Sequence, residues 1–212
     1  MKKGCVIAII VAAVVLVFVA IVAITGISGY NNLVKLEANV ENGWAQVENQ
    51  YQRRSDLIPN LVNTVKGAAD FEKSTLTDVI QARASATQLK VDPKDLTPQA
   101  IQQFQATQGQ LSQALGRLMV VSERYPQLRA TENFKGLQAQ LEGTENRIAV
   151  ARRDFNQEAT TYNKAIRRFP AVLYAGVFGF EEKGLFQAEQ GAEKAPTVDF
   201  GDGSADSSGG GR

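Results

Sequence analysis

An uninterrupted apolar run near the N-terminus constrains this chain more than any other feature of its sequence. Residues 5–24 contain no charged side chain, no proline and no amide, and the chain remains mostly apolar to residue 27. About 20 apolar residues make a helix of roughly 30 Å, the thickness of the hydrocarbon core of a bilayer. A cleaved signal peptide has a shorter core, of about 7–15 residues, and no Ala-x-Ala site follows this run. The sequence therefore predicts a transmembrane anchor at residues 5–27.

The charges on either side of this run predict its orientation. Lys2 and Lys3 precede it together with the amino terminus, whereas only Lys35, close to acidic residues, follows it. Because basic residues are retained on the cytoplasmic side of a membrane, we expect residues 1–4 in the cytoplasm and the rest of the chain outside it.

Four stretches beyond the anchor show the apolar periodicity of amphipathic helices. They are residues 31–66, 71–89, 98–123 and 131–169. Pro59 lies inside the first stretch, where we expect a kink or a local break. Thr97 followed by Pro98 has the form of an N-cap with proline at the first helical position. The last stretch is the most regular, with an apolar residue every seven positions at Phe134, Leu141, Ile148, Phe155, Tyr162 and Phe169.

Each of these helices has an apolar stripe that must be buried against other helices. Short connections between consecutive helices favour antiparallel neighbours. The sequence therefore predicts an all-α fold, in which an N-terminal transmembrane helix is followed by an up-and-down bundle of about four long helices at residues 30–170. Four helical glycines are interpreted as close-packing positions within this bundle, namely Gly109, Gly116, Gly136 and Gly143.

The chain after the bundle divides into two parts. Residues 171–200 begin with ten apolar or small residues, too few to span a bilayer, and continue as a mixed segment with weak structural signals. We expect an apolar membrane-proximal segment followed by a C-terminal extension. Residues 201–212 consist mainly of glycine, serine and aspartate, a composition typical of disorder.

Composition excludes many functions before any site is considered. The sequence has no histidine and a single cysteine, which excludes Ser-His-Asp triads, histidine metal ligands, cysteine-cluster zinc sites and disulfides within the chain. The chain has 23 basic and 22 acidic residues, and subtracting Lys2 and Lys3 leaves 21 basic residues outside the N-terminus. This balance argues against a nucleic-acid partner. We expect neither a cofactor nor a metal site.

Several long motifs resemble sequences of the LemA family. They lie at residues 43–67, which begin with GWAQVENQY, at 111–170, which include LEGTENRIAVARRDFN, at 178–180 (FGF) and at 195–200 (APTVDF). The resemblance implies a bacterial single-pass protein of the cytoplasmic (inner) membrane, with a helical bundle and without established catalytic activity. Residues 67–72 read GAADFE where many relatives have GYxxHE, so Ala68 and Phe71 replace an aromatic residue and a histidine. No role of that histidine carries over.

The bundle topology predicts a polar contact in the core. The first and last helices of an up-and-down four-helix bundle are antiparallel, and aligning their membrane-proximal ends makes facing residue numbers sum to about 200. Arg54, the one charge in its apolar row, then lies near Glu145, and Glu48 lies near Arg152. We predict that Arg54 pairs with Glu145 or with Glu142.

The same topology returns the end of the last helix to the level at which the anchor enters the bundle. The aromatic residues expected at this membrane-proximal end are Tyr30, Phe169, Tyr174, Phe178 and Phe180. Tyrosine is enriched at membrane interfaces, and we hypothesise that residues 171–180 dock on the headgroup region of the bilayer. The alternative, that these residues only plug the bottom of the bundle, stays open.

Two functions remain for such a chain. The first is a membrane-anchored helical interaction or scaffold protein of the bacterial cell envelope, without catalytic residues, whose partners are the lipid bilayer and either other proteins or further copies of itself. The second is a membrane-tethered hydrolase that uses helix carboxylates such as Glu142 and Glu145 for general acid–base catalysis. Helical carboxylates at this spacing usually form ion pairs, which favours the first function.

Overall fold

The helix that contains the apolar run does not end at the membrane surface. In the computed structural model, which describes residues 3–67 and 72–188, a single helix α1 (Lys3–Lys66) joins the predicted anchor to the bundle. Its 64 residues correspond to about 96 Å at 1.5 Å per residue. Within the described ranges it is the one helix long and apolar enough to cross a membrane, and the rest of the chain does not bury its apolar stretch. The structure thus agrees with a membrane-associated protein that has one N-terminal apolar helix.

Further helices follow α1 in the described part of the chain. They are α2 (Lys73–Gln88), α3 (Pro98–Ser122), α4 (Pro126–Ala130), α5 (Glu132–Ile166) and a 3₁₀ turn at Ala171–Leu173. No strand occurs in residues 3–67 and 72–188, and the predicted all-α class is confirmed. The predicted cap of α3 is confirmed too, because the Ala100 N–H donates to the Thr97 hydroxyl at 3.3 Å and Pro98 begins the helix.

The four long helices pack as two antiparallel pairs. α1 packs along α5, and α2 packs along α3, while α2 also contacts α1. α4 is a short helix between α3 and α5. This arrangement is the up-and-down bundle that the apolar periodicity predicts.

The helix α1 runs without a break through Pro59, so of the kink or local break expected there the break does not occur. Proline has no N–H, so the carbonyl of Ser55, four residues earlier, loses its helical donor. The side chain of Arg83 in α2 replaces that donor, since its Nε donates to the Ser55 carbonyl at 2.9 Å. A neighbouring helix thus satisfies the group that would otherwise favour a break.

The core of the bundle consists of two clusters that follow each other along the helices. The proximal cluster, nearer the anchor, is rich in aromatic residues and includes Leu33, Val40, Trp44, Tyr51, Phe104, Ile148, Phe155, Tyr162, Phe180 and Phe186. The distal cluster is mostly aliphatic and includes Ile58, Leu61, Val65, Leu76, Val79, Leu111, Leu115, Leu118, Leu128, Phe134 and Leu141.

The seven-residue pattern of the last helix is buried except at its final member. Phe134 and Tyr162 are buried, as are the pattern residues between them, whereas Phe169 is 76% exposed. The helix α5 ends at Ile166, three residues before the predicted end. Pro170 disfavours a helical conformation of the residue before it, so Phe169 does not belong to the buried apolar face of α5.

Some predictions fall on residues outside the described ranges. The substitutions at positions 68 and 71 and the glycine-rich tail at 201–212 are among them, as is the second part of the C-terminal extension at 189–200.

Candidate functional site

A buried arginine lies at the boundary between the two core clusters. Arg54 is 1% exposed, although it is a charged residue. Its Nη1 donates to Oε1 of Glu145 at 2.7 Å and to the hydroxyl of Ser112 at 2.8 Å. Its Nη2 donates to the side-chain oxygen of Gln108 at 2.7 Å and to the backbone carbonyl of the same residue at 3.3 Å. One side chain of α1 therefore binds both α3 and α5.

Gln108 extends this polar layer to the remaining long helix. The side chain of Gln108 is buried, and its Nε2 donates to the carbonyl of Ala86 in α2 at 3.3 Å. The guanidinium of Arg54 also lies over the ring of Tyr51, with 4.9 Å between its central carbon and the ring centroid. A buried polar contact that several helices share is satisfied in one register only, so it is suited to specifying how the helices align.

The structure brings together two of the five residues predicted for the core contact. Arg54 meets Glu145, while Glu142 is exposed and accepts a hydrogen bond from the side-chain amide of Gln138 at 3.0 Å. Glu48 is exposed beside α2. Arg152 instead donates to the backbone carbonyl at position 187. The predicted proximity of Glu48 and Arg152 is therefore not realised as an ion pair within the described residues.

The segment at residues 180–188, here called the C-terminal strap, contains functional groups that sequence reasoning missed. It has no helix or strand, yet it is held by paired hydrogen bonds between side-chain amides and its backbone. Asn163 pairs with the N–H and carbonyl of Lys183 at 2.9 and 2.8 Å, and Asn156 pairs with those of Phe186 at 2.9 and 2.8 Å. The expectation of weak structure was wrong for this part of the extension.

Side chains of the strap complete the proximal cluster. The ring of Phe186 stacks on Trp44 with 6.2 Å between centroids and meets Phe155 edge-on at 5.5 Å. Lys183 is buried, and its Nζ lies 2.8 Å from Oε1 of Glu37 in α1. A signal for this docking was present in α5, because Asn156 and the asparagine seven residues later each follow an aromatic residue of the heptad pattern.

The segment before the strap closes the membrane-proximal end of the bundle. The ring of Tyr30 in α1 meets Phe178 at 5.3 Å and Phe180 at 5.5 Å between centroids, both edge-on. The hydroxyl of Tyr174 abuts α1 at Gly29, where an added Cβ would clash with it. Of the five aromatic residues predicted at this end, Phe169 is the one without a ring contact among the described residues.

The other side of α5 has an open groove. This groove of about 520 Å³ lies between α1 and α5 and is lined by Gly43, Gln46, Gln50, Asn146, Arg147, Val150, Ala151 and Asp154. At 3.6 residues per turn, Asp154 and Val150 lie about 160° and about 120° around α5 from Asn156, so the groove is on a different face of the helix from the strap. The two helices approach closely here, because a Cβ on Gly43 would lie 3.3 Å from the Cα of Phe155.

The four glycines interpreted as close-packing positions do not have this role. An added Cβ at Gly109, Gly116, Gly136 or Gly143 would meet nothing within 4 Å. Close approach occurs instead at Gly29 and Gly43 in α1 and at Gly184 in the strap, which the apolar periodicity does not single out.

The sequence matches one family model over most of its length. The family model described as the LemA family matches residues 43–200, which is more than half of the chain. The chain belongs to the LemA family. The match extends through α5 and the C-terminal strap, so the strap is part of what the family model covers.

Relatives of this LemA-family chain include magnetosome proteins and a protein named LemA. It is 29% identical over 189 residues to "Magnetosome protein MamQ 2" of Paramagnetospirillum magneticum, covering 80% of this chain and 68% of that protein. It is 28% identical, with the same coverage, to "Magnetosome protein MamQ" of Magnetospirillum gryphiswaldense. It is 23% identical over 163 residues to "Protein LemA" of Metamycoplasma hominis, covering 76% of this chain and 69% of that protein. None of these names denotes an enzyme.

The described residues of this LemA-family protein hold no metal-binding cluster, and the predicted carboxylate pair lies outside the groove. No group of three or more histidine, cysteine, aspartate or glutamate side chains is placed to hold a metal ion in residues 3–67 and 72–188. Neither Glu142 nor Glu145 lines the groove between α1 and α5. An oxygen of Glu145 is instead occupied by the guanidinium of Arg54.

Two buried tyrosines have perturbed acidity for structural reasons. Burial, followed by the nearby carboxylates of Glu37 and Glu181, raises the pKa of the Tyr162 phenol well above its usual range. Burial also raises the pKa of Tyr51, although the positive charge of Arg152 opposes the increase. Both phenols therefore stay neutral at physiological pH and act as packing groups.

Proposed function

We propose that this protein is a non-catalytic, membrane-anchored scaffold of the bacterial cell envelope, which holds a protein-binding face at a defined height above the inner membrane. The observation that carries the proposal is the continuity of α1, because one unbroken helix contains the anchor and one wall of the bundle. A bundle attached through a continuous helix cannot rotate freely about a flexible linker. Such rigid attachment is useful for positioning a partner.

The groove between α1 and α5 is the face best suited to a partner. Neither the strap nor α2 nor α3 lines it. Val150 is 47% exposed in its wall, and it is flanked by the polar side chains of Gln46 and Asn146. An apolar contact surrounded by polar groups is the usual composition of a protein–protein interface. The proposed partner is another protein of the envelope or a second copy of this chain.

The named relatives support the class of function rather than its details. Two are proteins of the magnetosome by name. These names record no catalytic activity, which is compatible with a scaffold. The proposal includes a cytoplasmic N-terminus and an extracytoplasmic bundle, on the basis of Lys2 and Lys3.

Photo-crosslinking in the native membrane tests this function. A photoreactive amino acid at Val150 should capture a discrete protein, identified by mass spectrometry, whereas the same amino acid at Val120 should not. Val120 is a matched control because it is also an exposed helical valine, 71% accessible, but lies in α3 outside the groove. Equal capture at both positions, or none at Val150, would contradict the assignment of the groove.

Carboxylate substitutions separate the scaffold from the hydrolase. Glu142 is exposed and is not part of the buried polar layer, so Glu142→Gln should leave both the fold and the crosslink unchanged. If Glu142→Gln instead abolished the function of the chain in cells while the bundle remained folded, the hydrolase would be the better description.

A further inference from the structure

We propose that the bundle contacts the bilayer a second time, through an apolar patch beside the anchor. The patch consists of Phe169, Val172, Leu173, Val177 and Phe178, and its ligand is the interfacial region of the same membrane that α1 enters. The inference rests on the membrane anchoring in the proposed function, but it does not depend on a protein partner. The sequence left docking and plugging as alternatives, and the structure divides the two roles among different residues.

The burial of this segment is the reverse of what a simple plug requires. Its buried residues include the small side chains of Ala171 and Ala175, which are 9% and 4% exposed. Phe180, at 7%, also faces inward, whereas the aliphatic residues of the segment face outward: Val172 is 53%, Leu173 69% and Val177 84% exposed. A plug in water would bury the valines and the leucine, because they gain most from leaving water. The segment therefore has an inner face that closes the bundle and an outer apolar face without a partner in the described chain.

The position of the patch identifies the surface that covers it. Phe178 contacts Tyr30, which lies three residues, or about 4.5 Å along a helix axis, beyond the end of the apolar run at Ile27. The helix α1 is continuous across this junction. The hydroxyl of Tyr174 rests against Gly29, closer still to the anchor. The outer apolar face therefore lies at the level at which α1 leaves the hydrocarbon region.

The charges that flank the patch in sequence are two of each sign. Arg167, at the end of α5, is paired with Glu182. Arg168 and Glu181 add one further charge of each sign, and both are exposed. The patch itself has no charge, and insertion of apolar side chains does not require an anionic headgroup, so we expect the patch to enter a bilayer of phosphatidylcholine as well as one that contains anionic phosphatidylglycerol. This separates the proposal from binding of an anionic lipid.

The test uses spin labels on the full-length protein in phosphatidylcholine nanodiscs. In a Cys5→Ser background, which removes the single native cysteine, one label is placed at Val177→Cys and a second, on a separate sample, at Val120→Cys. Both positions are highly exposed, at 84% and 71%, but Val120 lies near the membrane-distal end of α3. The label at 177 should collide several-fold more with lipid-soluble oxygen, relative to a water-soluble nickel complex, than the label at 120.

The possible results lead to different conclusions. A label at 177 that is as accessible to the nickel complex as the label at 120 overturns the proposal, and the segment is then only a plug. A label at 177 shielded from both reagents also overturns it, because protein rather than lipid would cover the patch. A low-nickel, high-oxygen signal at 177 in nanodiscs of either composition supports it.

A charge substitution provides a second, independent measurement. Val177→Asp should not disturb the fold, because Val177 is exposed, and emission of Trp44 should be unchanged. It should reduce the oxygen accessibility of a label at Leu173→Cys towards the value found at the control position, whereas Val120→Asp should not. Unchanged accessibility at 173 would overturn the proposal. Crosslinking at Val150 reports the scaffold function separately, so either idea can fail alone.

Discussion

Replacing Glu145 with alanine should destabilise the bundle more than replacing Arg54 with methionine, although both changes remove the same ion pair. The reason is the unequal exposure of the partners: the side chain of Arg54 is 1% exposed and that of Glu145 is 45% exposed. Without Glu145, a guanidinium remains buried with no counter-charge, and losing one partner of a buried pair costs about 3–5 kcal/mol. Ser112 and Gln108 still accept hydrogen bonds from Arg54, so we expect a cost near the lower limit.

Without Arg54, the half-exposed carboxylate of Glu145 is hydrated by solvent. The main loss is then the donor to the buried oxygen of Gln108, and an unsatisfied buried acceptor costs about 1–3 kcal/mol. Methionine retains an apolar stem in the same space and avoids the desolvation of a guanidinium. We therefore expect Arg54→Met to cost about 1–2 kcal/mol. In the Arg54→Met background, Glu145→Ala becomes a surface change worth no more than about 0.5 kcal/mol.

Urea unfolding of the full-length protein in nanodiscs measures these differences. Trp44 is the single tryptophan and is fully buried in the proximal cluster, so its fluorescence reports the bundle and not the anchor. Glu142→Ala provides a matched control in the same helix, since that carboxylate is exposed and bonds only a glutamine within its own helix. Equal costs for the two single variants, or additive costs in the double variant, would refute the assignment of a buried cation that depends on one carboxylate.

Further predictions follow from other contacts. Arg83→Met should destabilise the bundle by about 1.5–3 kcal/mol, the value of a charged hydrogen bond. The loss should be clearly smaller in a Pro59→Ala background, because a backbone N–H at position 59 can then donate to the carbonyl of Ser55. Equal losses in the two backgrounds, measured by urea titration, would contradict this. Gly184→Ala places a Cβ 2.7 Å from the Cα at position 98, so limited proteolysis should cut the strap faster than in Gly176→Ala, where the added Cβ meets nothing. The pKa of Tyr162 is raised in the folded state, so above about pH 10 the unfolded chain ionises this phenol before the folded chain does, and the free energy of unfolding falls. Tyr162→Phe should therefore flatten the decline in stability at alkaline pH. Protease added to intact spheroplasts should digest the bundle, and a fully protected bundle would reverse the proposed orientation.

The sequence by itself determined the features that depend on local patterns. An apolar run of bilayer length predicts the long N-terminal helix, and periodic apolar residues predict the positions of the other helices. Thr97 and Pro98 predict the start of α3 because capping involves only neighbouring residues. Even the facing of Arg54 and Glu145 follows from the helix order, since antiparallel first and last helices have a register set by their ends.

Only the tertiary structure decided which partners form hydrogen bonds with the backbone of the strap and with the carbonyl that Pro59 leaves free. The C-terminal strap has no period of its own, because its hydrogen bonds go to side chains such as Asn163 and Asn156, which are 20 and 30 residues away in the sequence. The continuity of α1 at Pro59 depends on Arg83, which is contributed by another helix. Contacts between segments distant in sequence leave no period in the strap itself, so the helices of this protein could be predicted from its sequence, whereas the packing of the strap left only the two asparagines of α5 as a signal.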